Sequence, residues 1–428
     1  MSTAILRIEK KKSEAPQLRF PEFEENWKEK RFGELYSFYN TNSLSRDKLN
    51  YDEGEVYNIH YGDIHTKFQT HFYLKNENVP LIISDVDLSN IKKESYCKNG
   101  DIIMADASED YADIGKSIEL IDICNVKLLS GLHTFLARPI SDKTFVGFTS
   151  YLLKSWKLRK QIMLIAQGTK VLSLSTNRVA NLKLDIPTLA EQRKIASFLS
   201  TVDEKIQQLS SKKELLEQYK KGVMQQLFAG KLRFKDENGK DYPDWEEKKL
   251  GEVGKIVTGS TPTTSNVEYY NGKQLFVSPA DINGTRYVLN TKTTLTDLGF
   301  EKGRKLKKGT VLFVCIGSTI GKVAIAGLDC ITNQQINAIE ANSFNSNNFI
   351  FSLLEFNAIR IKLLAGVQAV PQINKTDFSN LKFMFPSLLE QKKIADFLSS
   401  IDAKIENVNQ QLIQTQSFKK GLLQKMFI

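Results

Sequence analysis

A long internal repeat constrains the fold of this chain more than any other feature of its sequence. The stretch Ile186–Phe228 recurs as Phe385–Phe427 at a constant offset of 199 residues, without a gap and with 18 of the 43 positions identical. A repeat of this kind indicates one structural unit that is used twice. The fold must therefore accommodate two copies of the same element.

Each copy is predicted to form one long helix. A proline opens each copy, and glycine and proline are then absent until Gly222 and Gly421. Apolar residues recur at alternating steps of three and four, which is the pattern of a coiled-coil seam. Such a helix of about 38 residues is about 57 Å long. We expect the two helices to pack on each other as an antiparallel coiled coil; two unrelated helices in separate cores are the alternative.

The composition is that of a soluble globular protein with an excess of basic residues. The chain has 428 residues, 41% of them hydrophobic, which is enough for two or three domains. No apolar run approaches the roughly 18 residues of a membrane span, and Ala4–Leu6 is too short for a signal peptide core. The four scattered cysteines are typical of a reduced, cytoplasmic protein. The net charge of +10 favours a polyanionic partner such as nucleic acid.

A second, shorter repeat marks the start of each half. Trp27–Leu35 recurs as Trp245–Val253, and the segments between this signature and the long helix share little identity. Both contain short β-rich runs, an Ile-Gly-Lys tripeptide and a helix-like stretch. This mixture predicts an α+β fold in which two α/β modules are separated by two long helices, with a pseudo-two-fold internal repeat. The predicted segments are an N-terminal segment (1–17), a first module (18–185), a central helix (186–231), a second module (232–384) and a C-terminal helix (385–428).

The motifs in the sequence argue against catalysis and metal binding by this chain. Gly317–Val323 approaches a phosphate-binding loop, but it has Ile316 where a glycine is needed and Val323 where Ser or Thr is needed. His60 and His65 are five residues apart with no cysteine nearby, which is unlike a metal pair. Methyltransferase motifs and a nucleophile with a paired base are also missing from the sequence. We therefore predict no catalytic residues, no metal site and no bound cofactor.

The duplicated helix motif resembles that of the DNA-specificity subunits of type I restriction-modification systems. The residues that carry the resemblance are Ile186–Pro187, Glu191–Ala196, Phe198–Leu199 and Asp203–Ile206, with their copies Phe385–Pro386, Glu390–Ala395, Phe397–Leu398 and Asp402–Ile405. Gly259–Pro262 and Ala369–Asn374 are further family-like elements of the second half. The first half departs from them with Thr41–Ser43 and Lys170–Leu174. The resemblance covers essentially the whole chain.

The resemblance implies a DNA-binding scaffold that is not itself an enzyme. In that family, each module is a target-recognition domain that reads one half of a bipartite, asymmetric double-stranded DNA site. The helices set the spacing and dock two adenine-methyltransferase subunits, which two restriction subunits can join. S-adenosylmethionine, ATP and Mg are then expected on the partner subunits, in a cytoplasmic complex. A helix of about 57 Å would separate the half-sites by roughly one to one-and-a-half DNA turns.

Contact residues are predicted from side-chain chemistry, because Arg, Lys, Asn and Gln on loops can bond base edges while Lys can hold phosphates. The predicted DNA-binding residues are Tyr61, Lys116 and Lys170 in the first module and Arg286, Lys322, Asn333, Gln334, Gln335 and Gln368 in the second. The predicted partner-binding residues, which repeat while lying largely off the apolar seam, are Glu191, Gln192, Lys194, Glu390, Gln391 and Lys393. The alternatives are ordinary surface residues for the first set, and capping and solvation of the helix starts for the second.

Two functions of other classes stay open at this stage. A self-sufficient DNA-modifying enzyme would need the cofactor and metal motifs that the sequence lacks, and binding of S-adenosylmethionine by the purified chain would favour it. A coiled-coil assembly scaffold without a DNA role conflicts with two large, differing modules. Absent or salt-insensitive DNA binding would favour that scaffold.

Overall fold

The computed structural model describes residues 16–366 and 371–427, so the predicted contact residue Gln368 and most of the predicted N-terminal segment lie outside the described residues. The chain divides into two compact units. The first unit comprises the residues up to Gln208 and those from Leu412 onward, and the second comprises Leu209–Gln411. Each unit therefore contains one module and part of each long helix. This division falls within the helices, whereas the sequence-based segments end where the helices begin or end.

The first unit contains a module of short strands and short helices, followed by the start of a long helix. Its strands are β1 (Lys28–Arg31), β2 (Tyr36–Tyr39), β3 (Leu49–Asn50), β4 (Tyr57–Ile59), β5 (His71–Tyr73), β6 (Leu81–Ile82), β7 (Ile102–Ala105), β8 (Ala107–Ser108), β9 (Ser117–Asp122), β10 (Leu128–Ser130), β11 (Thr134–Pro139), β12 (Leu172–Ser173) and β13 (Lys183–Ile186). Its helices are α1 (Phe32–Leu35), α2 (Tyr61–Thr66), α3 (Thr149–Leu153), α4 (Trp156–Ile165), α5 (Thr176–Ala180) and the start of α6 (Leu189–Phe228).

The second unit has a module of the same kind and contains the start of the second long helix. Its strands are β14 (Glu246–Lys249), β15 (Gly254–Thr258), β16 (Tyr270–Val277), β17 (Tyr287–Val288), β18 (Thr293–Leu295), β19 (Val311–Val314), β20 (Val323–Ala326), β21 (Cys330–Thr332), β22 (Ile336–Ala341) and β23 (Lys382–Phe385). Its helices are α7 (Leu250–Val253), α8 (Asp297–Phe300), α9 (Asn347–Leu364), α10 (Lys375–Asn380) and the start of α11 (Leu388–Lys425).

The two modules share one strand order although their sequences differ. The central five-stranded sheet has the order β2-β11-β7-β9-β5 in the first unit and β15-β22-β19-β20-β17 in the second. In both sheets the last pair is parallel and the other pairs are antiparallel. A smaller sheet also matches, with β10 parallel to β4 and β21 parallel to β16. The shared order confirms the α+β fold and the internal repeat.

The long helices start at matching caps and pack in antiparallel fashion. Thr188 and Ser387, which follow the two prolines, accept hydrogen bonds from the backbone N–H groups three residues later. In each unit the start of one long helix then packs against the end of the other. The contacting residues are Ile195, Leu199, Leu422 and Met426 in the first unit, and Met224, Leu227, Ile394 and Leu398 in the second. Full burial of such a side chain contributes about 1.5–3 kcal/mol, so the apolar seam stabilises the antiparallel pairing.

The cores continue from the helix pair into the sheets. In the first unit Trp27, Phe148 and Tyr151 belong to the same buried cluster as the helix residues, and in the second Phe349 and Phe385 do. The modules are therefore packed directly on the helices. None of the helices in the described ranges is long and apolar enough to span a membrane.

Candidate nucleic-acid interface

Four loops of the second unit meet at one edge of its sheets, which we call polar edge 2. The loops are Gly259–Pro262, Ser278–Asp281, Gly317–Lys322 and Asn333–Gln335. The Ser260 N–H donates to Thr332 O at 2.8 Å, and Thr261 Oγ1 donates to Gln334 Oε1 at 2.7 Å. Stretches that are far apart in the sequence thus form one polar surface.

A glycine makes this close approach of the loops feasible. A Cβ atom at Gly259 would lie 2.0 Å from the carbonyl oxygen of Asn333, a distance that no side chain tolerates. The described part of the second family-like element of this half, Pro371–Asn374, joins the same edge, since the Gly317 N–H donates to Pro371 O at 2.9 Å. The two elements that were recognised separately in the sequence are therefore parts of one site.

Basic side chains surround polar edge 2. Lys322 Nζ donates to Pro279 O at 3.2 Å and is half-buried. Arg304 and Lys362 are exposed, and both donate to backbone carbonyls. Arg304 donates to Thr258, the last residue of β15, at 2.7 Å, and Lys362 donates to the loop residue Ser318 at 3.3 Å. Sequence reasoning missed these two cations, because neither belongs to a recognisable motif. Amide groups with nearby cations suit a surface that meets both bases and phosphates.

The first unit has an equivalent surface, polar edge 1, formed by the loops Thr41–Ser43, Asp113–Lys116 and Gly131–His133 together with His60–His65, which is the N-cap and most of helix α2. Four backbone hydrogen bonds recur at the two edges. The bond from Asn42 N to Ser130 O in the first unit corresponds to that from Ser260 N to Thr332 O in the second, and Gly131 N to Ile59 O corresponds to Asn333 N to Val277 O. Likewise, Ala105 N to Lys116 O corresponds to Val314 N to Lys322 O, and Asp106 N to His133 O corresponds to Cys315 N to Gln335 O. Lys116 therefore takes the place of Lys322, and His133 that of Gln335.

Tyr61 and three histidines form the centre of polar edge 1. The Tyr61 ring centroid lies 4.6 Å from that of His60, 5.3 Å from that of His133 and 6.1 Å from that of His65. The His60 side chain caps α2 by accepting from the Gly62 N–H at 3.2 Å. Burial and the nearby Arg46 lower the pKa of His60, which favours the neutral ring that this cap requires.

The predicted DNA-binding residues of the first unit divide into two groups. Lys116 Nζ donates to the carbonyl oxygen of His65 at 2.6 Å, so Tyr61 and Lys116 lie at the same edge. Lys170 is exposed in the connection between α4 and β12, and no bond among the described contacts links it to that edge. In the second unit Lys322, Asn333, Gln334 and Gln335 lie together at polar edge 2.

A family model described as the type I restriction modification DNA specificity domain matches residues 24–218 and 242–415. The chain belongs to this family. It is thus a DNA-specificity subunit, and the two matched segments contain the two modules with their polar edges. Its role is DNA recognition within a type I restriction-modification system.

Curated relatives and solved structures of this kind match nearly the whole chain. A putative type I restriction enzyme MjaX specificity subunit of Methanocaldococcus jannaschii is 26% identical over 438 residues, which cover 94% of this chain and 95% of that protein. The type I restriction enzyme StySPI specificity subunit of Salmonella potsdam is 22% identical, with 86% and 85% covered. The crystal structure of a type I S subunit from M. genitalium has a TM-score of 0.63 at 16% identity and covers 97% of this chain and 99% of that one. The solved structure shares the fold.

The specificity subunit buries four of the residues that the sequence suggested for partner binding. Glu191 is 1% exposed and Glu390 is fully buried, and Gln192 and Gln391 are each 1% exposed. Side chains with so little surface are inaccessible to a docked subunit. We therefore correct that part of the prediction and assign these four a role inside each unit. Lys194 and Lys393 keep exposed surface.

The buried glutamates attach each module to a helix start. Arg19 binds both carboxylate oxygens of Glu191 at 2.8 Å, and Trp27 Nε1 donates to Glu191 Oε1 at 3.2 Å. Arg233 and Trp245 bind Glu390 in the same way, at 2.9–3.2 Å. The sequence signals for this junction were the Trp signatures and the run Leu18–Phe20, which recurs as Leu232–Phe234. Their recurrence in the same order ahead of each Glu-Gln pair could have identified the contact, although the arginine and the glutamate are 172 residues apart in the first half and 157 in the second.

Gln192 and Gln391 stabilise the same junctions through hydrogen bonds between their side chains and backbone groups. Gln192 Oε1 accepts from the Phe145 N–H at 2.8 Å, and its amide donates to Pro187 O at 2.9 Å. Gln391 accepts from the Ser346 N–H at 2.9 Å and donates to Pro386 O at 2.9 Å. Each amide thus uses both of its hydrogen-bonding functions within the protein.

Arg286 is also corrected, because it faces the helices rather than polar edge 2. Its side chain is 8% exposed, its Nη1 atom lies 2.7 Å from Asp402 Oδ2, and its guanidinium lies 4.5 Å from the Phe351 ring centroid. A cation that is buried and paired in this way cannot reach a DNA base. Its neighbour Tyr287, by contrast, is partly exposed.

Proposed function

We propose that this specificity subunit reads a split, asymmetric double-stranded DNA site and that each polar edge contacts one half-sequence. The observation that supports this most directly is the shared backbone framework of the two edges. A common framework lets both modules approach DNA in the same way, while different side chains on it select different bases. The half-sequences should therefore differ.

The side chains at the edges suit distinct tasks. Lys116 and Lys322 occupy equivalent positions and are proposed to hold phosphates. At the position of Gln335 in the second unit, the first unit has His133, so the base-reading groups are not the same. Gln334 is exposed beside Gln335, and its amide can bond adenine in the bidentate manner typical of Asn and Gln.

We further propose that two adenine-methyltransferase subunits dock on the long helices and that two restriction subunits join through them. Tyr219 and Phe418 support two equal docking sites, because they stand at equivalent repeat positions and are 53% and 56% exposed. Exposed aromatic side chains are common anchors of protein interfaces. Lys194 and Lys393 stay candidates for the same contact. S-adenosylmethionine, ATP and Mg then belong to the partners, in the cytoplasm, and this chain supplies specificity.

The proposed spacer between the half-sites is the helix pair. Helix α6 continues without a break for 40 residues, and α11 for 38. A continuous helix keeps its length, about 1.5 Å per residue, better than a loop would. The gap between the half-sites should therefore be fixed in length while its sequence is free.

Binding measurements on edge variants test the proposal. In the complex with its methylating subunit, Gln334→Ala should lose about 1–3 kcal/mol of discrimination at one position of one half-site. Lys322→Ala should weaken binding to all sequences alike and lower the slope of log affinity against log salt by about 1. Lys255→Ala, an exposed lysine at the far end of β15 from the edge, is the matched control. An unchanged salt slope for Lys322→Ala, together with unchanged base preference for Gln334→Ala, would remove polar edge 2 from the DNA interface.

A further inference from the structure

A short segment of the second unit connects polar edge 2 to the long helices. Ser278–Tyr287 begins at the edge, where Pro279 O accepts from Lys322 Nζ at 3.2 Å. It ends beside α11, where Arg286 Nη1 donates to Asp402 Oδ2 at 2.7 Å. One segment of ten residues therefore has one end among the DNA-facing loops and the other on a helix carboxylate.

The middle of this segment is fixed by a second carboxylate, that of Asp281. Asp281 Oδ2 accepts from the Ser278 N–H at 2.8 Å and from its hydroxyl at 2.6 Å, and Asp281 Oδ1 accepts from the Lys292 N–H at 2.8 Å. The carbonyl of Arg286 accepts from the Ile325 N–H at 2.8 Å, which joins the segment to β20. A displacement at Arg286 would thus be transmitted along a short, bonded stretch to Pro279.

The first unit has a comparable arrangement, in which a residue of helix α3 lies between the segment and the helix carboxylate. Its segment His60–His71 begins at polar edge 1, where His65 O accepts from Lys116 Nζ at 2.6 Å. It ends at His71, whose ring centroid lies 4.4 Å from that of Tyr151. The Tyr151 hydroxyl donates to Asp203 Oδ2 at 2.7 Å. Asp203 and Asp402 stand exactly one repeat offset apart, so the duplicated aspartate serves both units.

In each of these aspartates the two carboxylate oxygens bind different partners, and the arrangement is the same in both units. Asp402 Oδ1 lies 2.7 Å from Nζ of Lys220 on the other long helix, and its Oδ2 binds the module through Arg286. Asp203 Oδ1 pairs with Lys419, the repeat equivalent of Lys220, and its Oδ2 binds the module through Tyr151. One oxygen therefore joins the two helices, and the other holds the module.

We infer that Asp402 and Asp203 are positioning residues for DNA recognition, each setting the specificity for one half-site. This inference rests on the proposed function of the polar edges. Asp402 holds the far end of its segment through Arg286, and Asp203 acts on its segment through Tyr151, whose ring contacts His71. Each aspartate thus keeps the base-reading groups of its edge where their hydrogen bonds are well aligned. Hydrogen bonds weaken steeply with distance and angle, so a small shift of the segment costs discrimination before it costs folding.

A charge swap separates the two functions of Asp402. The double variant Lys220→Asp, Asp402→Lys keeps a helix–helix ion pair but places a lysine against Arg286 and an aspartate against Glu355, which pairs with Lys220 in the wild-type chain. Arg286→Met is the complementary variant, since it keeps the Lys220–Asp402 pair and removes the bond from Asp402 to the module, together with the bond from Arg286 to Asn348. Asp396→Asn, at an exposed position of the same helix, is the control.

The readout is the methylated motif, mapped by sequencing DNA from cells that express each variant with the methylating subunit. Both Asp402-site variants should keep the first half-sequence and the gap, while preference for the second half-sequence falls about tenfold. The equivalent swap Lys419→Asp, Asp203→Lys should degrade the first half-sequence only.

Two results would overturn the inference. Retention of both half-sequences by Arg286→Met would show that the carboxylate serves only helix pairing. An equal loss of methylation at all sites, with the motif unchanged, would show a role in folding or assembly. If the chain with the charge swap does not assemble with the methylating subunit, the motif obtained with Arg286→Met tests the inference by itself. Absence of a split motif with the wild-type chain would instead refute the proposed function itself.

Discussion

At the residue scale, a few buried polar side chains determine how each module is held on the helices. Glu191 and Glu390 have their carboxylates removed from water, and each pairs with one arginine and accepts a hydrogen bond from one indole N–H. Loss of one partner from such a pair is costly, because it leaves an uncompensated buried charge. These contacts repeat although the modules have diverged, which is expected of an attachment point that both modules need.

Substitution of one of these glutamates should destabilise its own unit. Glu390→Gln removes the carboxylate that binds Arg233 and Trp245, while Arg233 stays partly exposed and paired with Asp244, so the free energy of unfolding of the second unit should fall by about 1.5–3 kcal/mol. Urea unfolding monitored by tryptophan fluorescence measures this change, since Trp245 is part of the contact. Glu246→Gln, at an exposed strand residue, is the matched control. A loss of less than about 1 kcal/mol in the free energy of unfolding would mean that the buried pair contributes little to the stability of the second unit.

Lys154 should give the first unit a distinctive pH dependence. Burial, together with the positive charge of Lys419, lowers the pKa of Lys154 to about 8. Between that value and the ordinary lysine pKa of about 10.4, the unfolded chain binds a proton that the folded chain does not, so stability from this group rises with pH. Below pH 8 the lysine is charged in both states and contributes no slope.

The variant Lys154→Met isolates this effect. Relative to the variant, the wild-type chain should gain up to about 2 kcal/mol of unfolding free energy between pH 8 and pH 9.5. Measurements should stop there, because burial and the charge of Asp203 raise the pKa of Tyr151, while tyrosines of the unfolded chain ionise near pH 10. A difference between the two chains that stays constant across this range would contradict the lowered pKa.

At the scale of elements, the long helices were predictable and the sheets were not. The seam is local information: each apolar position follows the last by three or four residues, and the observed helices start two residues after Pro187 and Pro386. The sheets depend on pairings between distant strands, such as β11 between β2 and β7. Strands of two to six residues carry too few side chains to specify such partners.

The helix pair should behave as a spacer of defined length. Insertion of four residues at Lys212-Lys213 in α6 adds about one turn, or roughly 5.4 Å. The preferred gap between the half-sequences should lengthen by one or two base pairs, with both half-sequences kept, as measured by motif mapping. Lys212→Ala without an insertion controls for the loss of the side chain. An unchanged gap after the insertion would rule out α6 as the spacer.

At the scale of the whole molecule, the family and the architecture followed from the repeat, whereas the DNA-contact residues stay predictions. Tyr61, Lys116 and Lys322 were chosen for their chemistry and lie at the polar edges. Arg286 was chosen for the same reason and faces the helices, because a basic residue in a loop can serve an ion pair as readily as a DNA contact. Glu191 repeats because it is structural; repetition alone does not distinguish attachment from partner binding.

Because each module is proposed to read its own half-sequence, the exchange of one module for another has a predictable result. Replacement of residues 27–185 by the corresponding module of another family member should change one half-sequence and leave the other half and the gap intact. The physical reason is that each polar edge is built from residues of its own unit. Motif mapping of the chimaera measures the outcome, and simultaneous change of both halves would contradict modular recognition.

The central claim, that the two polar edges read two different half-sequences, is tested most directly with the unmodified chain. Co-expression with its methylating subunit, followed by genome-wide mapping of methylated adenines, should give one split, non-palindromic motif with two fixed halves around an unspecified gap. A continuous or palindromic motif would contradict two different edges. Absence of adenine methylation, with failure of the two proteins to co-purify, would contradict the account as a whole.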